Sequence, residues 1–127
     1  ALTLPSSEAQ KAPELAVNLV ISRDQILVDG VPVLTLQERQ EDDGTTLRVL
    51  PEDALRGQLI PKLYDVLDDK AAAAVALGDQ IEQGDFSGRL LLQVDRSLHF
   101  GVLREVMYTA GQARFGEFEF VVYSNAG

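Results

Sequence analysis

Between Arg89 and Tyr123 the apolar spacing changes from that of a strand to that of a helix and back again, which restricts the chain to few folds. Consecutive Leu90, Leu91 and Leu92 predict a strand over Arg89 to Val94 that is covered on both faces and central in its sheet. Asp95, Arg96 and Ser97 end it. Val102, Leu103, Val106, Met107 and Ala110 then hold the helical period, with Ser97 as the expected cap and Gly111 as the terminator. Glu117 to Tyr123 returns to a period of two, with Phe118, Phe120 and Val122 on the expected core face and a wet face opposite. A strand, helix and strand in this order close as a right-handed crossover with parallel strands.

The rest of the chain supplies the remainder of such a sheet. Leu15, Val17, Leu19 and Ile21 alternate with Ala16, Asn18, Val20 and Ser22, and a polar turn leads to Ile26, Leu27 and Val28, closed by Asp29 and Gly30. These two strands read as a hairpin. Gln37 to Gly44 reads as a charged loop and Thr45 to Leu50 as an extra edge strand. Pro51, Glu52 and Asp53 resemble the first turn of a helix. The stronger helix starts near Ile60, carries Leu59, Leu63, Val66 and Leu67 at helical spacing, runs through Ala71 to Ala74, and is expected to stop at Gly78. Asp79 to Gly88 reads as a second polar loop.

The expected fold is α+β: a two-layer sandwich with a mixed sheet of four to five strands and two helices on one face, in β-β-α-β-α-β order. Residues 14–127 form the expected domain. Residues 1–13, rich in Pro, Ser, Ala and Gln, read as an extended tether.

Composition narrows the function classes. Twenty acidic residues against 11 basic ones give a formal charge of -9, which disfavours nucleic acid and anionic lipid as partners. With no cysteine there is no disulfide, thiolate site or cysteine nucleophile. The single histidine, His99, follows Asp95 and Ser97 too closely for the three side chains to converge as a triad, and no second histidine completes a metal site. Glu41, Asp42, Asp43 and Gly44 lack the spacing of a calcium loop, and no phosphate-binding glycine motif is present. Phe100, Phe115, Phe118 and Phe120 are not interleaved with basic residues and read as core. The expectation is a non-catalytic protein without cofactor or metal.

Three segments carry a resemblance. Leu2-Thr3-Leu4-Pro5 is similar to an element that follows the membrane helix in the ExbD/TolR biopolymer-transport family. Ile26 to Val33 resembles that family's strand and Asp-Gly turn. Leu91 to Val94, Asp95, Arg96, Ser97, His99, Phe100, Leu103, Val106, Met107 and Phe118 to Tyr123 resemble its aliphatic strand, Asp-Lys/Arg turn, helix and last strand.

The resemblance implies a periplasmic domain of a single-span bacterial inner-membrane protein, with the membrane helix and its ion-carrying acid lying before the sequence read here. It also implies a homodimer seated in an ExbB/TolQ-like membrane subunit. That assembly passes ion-driven work to a TonB/TolA-like protein or to peptidoglycan. Leu2, Leu4, Pro5, Asp95 and Arg96 are the expected partner-binding residues. The alternative is a stand-alone envelope module that binds peptidoglycan or a protein.

Overall fold

The computed structural model describes residues 16–81 and 88–124, with no side-chain description for 77–81. The tether over residues 1–13, with Leu2, Leu4 and Pro5, and the strand position Leu15 lie outside them.

The described residues form seven strands and two α-helices in an α+β fold: β1 (Val17–Ile21), β2 (Gln25–Val28), β3 (Val31–Thr35), β4 (Gln37–Gln40), β5 (Thr46–Val49), α1 (Pro61–Ile81), β6 (Arg89–Asp95), α2 (Phe100–Gln112) and β7 (Glu117–Tyr123). A five-stranded mixed sheet has the order β3-β2-β1-β6-β7. β1 runs antiparallel to β2 and β2 to β3, whereas β1, β6 and β7 are mutually parallel. The β6-α2-β7 unit is therefore the strand-helix-strand crossover expected from the change of period.

The register shows how the core is assembled. Leu19 lies opposite both Val28 and Leu92, and Ile21 opposite Ile26 and Val94, so one parity of each strand points to the same side. Those residues are buried together with Ile60, Leu63, Leu67 and Ala71 from α1 and its lead-in, and with Val102, Val106 and Ala110 from α2. Val17, Leu19 and Ile21 fall on this face, as alternation required.

Among the described residues the other face carries no such layer. Val20, Leu27 and Leu91 are only half-buried there, which corrects the reading of the leucine run as covered on both faces. β6 is internal to the sheet, but its middle leucine looks outward.

Local chemistry explains the turns. The Ser22 hydroxyl accepts the amides of Asp24 and Gln25 at 3.3 and 3.0 Å, which closes β1 onto β2. Asp29 and Gly30 both have positive φ, at 49° and 84°, the geometry of a tight hairpin turn. They join β2 to β3, a strand absent from the expected order.

Gln37 to Gly44 is not simply a loop. β4 and β5 form a separate antiparallel pair, and Thr46–Val49 adds no edge to the main sheet. Buried Leu36 and Leu50 anchor the two ends of this hairpin. The proline turn at 51 starts only a short 3-10 helix, Glu52–Ala54, rather than an α-helix.

The first helix starts next to Ile60 as expected, but its C-terminal end and both ends of the second differ from expectation. α1 starts at Pro61, where no intrahelical amide is due, and runs past Gly78 to Ile81. A glycine costs a helix about 1 kcal/mol relative to alanine, which a 21-residue helix absorbs. α2 is capped by His99, whose Nδ1 accepts the Gly101 amide, and not by Ser97. It also passes Gly111 to end at Gln112, and Arg114 takes the left-handed conformation that releases the chain.

Candidate functional site

Asp95 and Arg96 sit where β6 ends, beside the end of β7. The Asp95 carboxylate is buried, and its Oδ1 accepts the Ser97 amide at 2.9 Å and the Ser97 hydroxyl at 2.6 Å. The Ser97 hydroxyl and amide hold the carboxyl below its ordinary range, overcoming the upward push of burial, with a smaller pull from Arg23. Its Oδ2 is enclosed and has no hydrogen-bond partner among the described residues. Arg96 is exposed, and its amide donates to the Tyr123 carbonyl at 2.8 Å. Burial, together with the charge on Asp95, raises the Tyr123 hydroxyl.

This arrangement stitches a turn. Asp95 bonds Ser97, His99 bonds Gly101, and no hydrogen bond joins either pair to the other. No cluster of three metal-ligating side chains occurs among the described residues, and no described helix is long and apolar enough to cross a membrane.

The unusual surface is the neighbouring edge. β7 pairs with β6 on one side and, among the described residues, has no strand on the other. Register places Phe118, Phe120 and Val122 opposite buried Leu90, Leu92 and Val94, so they belong to the core-facing row. Yet Phe118 is only half-buried, Phe120 is 47% exposed and Val122 64%. Val121, on the other face, is 44% exposed. Both faces of β7 are therefore largely open, which corrects the reading of one core face and one wet face. Phe100 is also exposed, and of the four late phenylalanines expected in the core only Phe115 is fully enclosed.

An unpaired strand edge offers backbone donors and acceptors to another strand, and exposed phenylalanine and valine beside it add apolar area. Phe118 and Phe120 form a tilted ring pair with centroids 6.1 Å apart, which braces this row. Sequence reasoning placed the strand correctly but missed its exposure. The available signal was Phe120-Val121-Val122, three consecutive apolar residues in a strand whose alternation was otherwise strict.

Comparison of the chain with family models, curated proteins and solved structures gave no match.

Proposed function

We propose that this chain is a non-catalytic coupling domain of ExbD/TolR-like type that pairs with a second copy of itself through β7. In that role it links an ion-driven ExbB/TolQ-like membrane subunit to a TonB/TolA-like protein or to peptidoglycan. The open edge of β7 carries the reading, because its residues are suited to antiparallel self-pairing. A pair centred on Phe120 sets Glu119 opposite Val121, Phe118 opposite Val122 and Glu117 opposite Tyr123, using all seven residues. Centring on Glu119, or pairing in parallel, sets glutamates against each other, which is unfavourable. The chosen register continues the apolar row across two sheets without opposing like charges.

The resemblance supports the same reading. Ile26 to Val33 fall in the β2-turn-β3 hairpin and Leu91 to Tyr123 in the final crossover, so the two described segments that carry the likeness are structural units.

Sedimentation equilibrium of the chain, alongside Phe120→Lys and Val122→Lys, tests the pairing. The expected result is a dimer for the wild type and a monomer for each variant that melts close to the wild type diluted to its monomeric range. A wild-type monomer at submillimolar concentration, or a dimer that survives both substitutions, overturns it. Pull-down on purified sacculi distinguishes a coupling domain from the stand-alone envelope module: dimer-dependent retention favours the former, and equal retention of monomeric variants the latter.

A further inference from the structure

A second edge, at the opposite end of the sheet, carries a different feature. Among the described residues β3 pairs only with β2, and it lines a groove of about 680 Å3. It is lined by Pro32 to Thr35, by Asp53, Leu55 and Arg56, and by Pro61 and Lys62 of α1. Arg56 and Leu59 exchange two backbone hydrogen bonds, at 2.8 and 3.1 Å, across a turn whose Gly57 has φ +66°.

Half-buried Leu34 and Leu55 supply apolar surface, while Val33 turns into the core. Arg56 and Lys62 are exposed, and neither forms an ion pair among the described residues, whereas Arg39, Arg48 and Lys70 all do. The first turn of α1 has no acid to offset them, and Asp53 is the single acid on the groove. The groove thus has a positive balance on a chain of charge -9.

We infer that this groove receives an extended acidic peptide segment of a partner protein, laid along β3. Strand addition uses the backbone of an edge for affinity and alternate side-chain positions for specificity. Here alternate residues of the guest would face Leu34 and Leu55, and the intervening acids Arg56 and Lys62. The inference goes beyond the proposed function: it concerns β3 and stands whether or not β7 self-pairs.

The test is a titration of the 15N-labelled chain, at low salt, with a short end-blocked peptide alternating valine and glutamate, and with its valine-lysine counterpart. The acidic peptide is expected to shift the amides of Val33, Leu34, Thr35, Leu55, Arg56 and Lys62. Joint substitution Arg56→Glu and Lys62→Glu, both at exposed positions, should weaken its binding about tenfold, and added salt should weaken it further.

Any one of several results overturns the inference: no shifts at millimolar acidic peptide, shifts confined to β7, equal binding of the lysine peptide, or undiminished binding by the charge-reversed variant. Cell-wall glycan fragments moving these amides where the peptide does not would also overturn it. Self-association is read at β7 by sedimentation, so failure of one proposal is distinguishable from failure of the other.

Discussion

The Thr109 hydroxyl joins the two helices: it accepts the Ile60 amide at 2.9 Å and donates to the Glu105 carbonyl at 2.8 Å. Thr109 is fully buried in α2, and Ile60 is the residue immediately before α1. Because Pro61 has no amide, the Ile60 N–H is the last donor before the helix, and it finds its acceptor 49 residues away.

Replacing Thr109 by valine keeps the shape and leaves that amide buried without a partner. The expected cost is about 1–3 kcal/mol in urea or thermal unfolding, with the fold retained in circular dichroism. A variant as stable as the wild type would show that the amide is satisfied in another way.

Gly88 is the second joint. Its φ is +70°, and a Cβ placed there would lie 2.5 Å from the Arg114 carbonyl oxygen, a backbone atom with little freedom to retreat. The Gly88 carbonyl also accepts the Glu117 amide at 3.2 Å, at the point where β6 and β7 begin to pair. Gly88→Ala combines a left-handed backbone with a clash, so a loss of more than about 2 kcal/mol is expected. Gly44→Ala, with φ +90° and open space around it, should cost only the backbone strain, about 1–2 kcal/mol. Parallel melts of the two variants check the difference.

The sheet was legible where one face is buried, because alternation at Val17, Leu19 and Ile21 and the period change after Asp95 follow directly from side-chain direction. β4 was not, since Gln37 to Gln40 are all exposed and leave no apolar pattern; buried Leu36 and Leu50 fix that hairpin from outside it. The helix ends escaped for another reason. Ser97 has the chemistry of a cap, but Asp95 engages its hydroxyl, so His99 caps α2 instead. Of the candidate site, Asp95 and Arg96 were visible as a turn motif. The openness of β7 and the β3 groove depend on which edges the tertiary fold leaves unpaired, and local periodicity does not encode that.

Acid should act partly through Asp95. Its carboxyl is held below the ordinary value by Ser97, so the folded state binds that proton less readily than the unfolded chain does. The resulting stability is fully present above the unfolded value, near the usual 3.8, and is lost as pH falls through the lower folded value. Asp95→Asn is expected to be less stable than wild type at neutral pH, with the difference narrowing below about pH 4 as the wild type loses this contribution. Urea midpoints at neutral pH and across the acid range check it. A difference that stays constant into strong acid would remove Asp95 from the acid response.

Leu92 and Phe120 are register partners in adjacent parallel strands and belong to one row of the sheet, yet Leu92 is fully buried and Phe120 is 47% exposed. Removing the leucine side chain empties a packed site, so Leu92→Ala should cost about 2–5 kcal/mol. Phe120→Thr removes a ring already half in water and keeps a β-branched strand former, so a change of no more than about 1 kcal/mol is expected in the isolated monomer. If β7 is a docking edge, the same substitution should weaken self-association far more than it weakens folding. Melting at low concentration, set beside sedimentation at high concentration, separates the two effects. A large stability loss in the monomer would mean that Phe120 serves the core and not a partner.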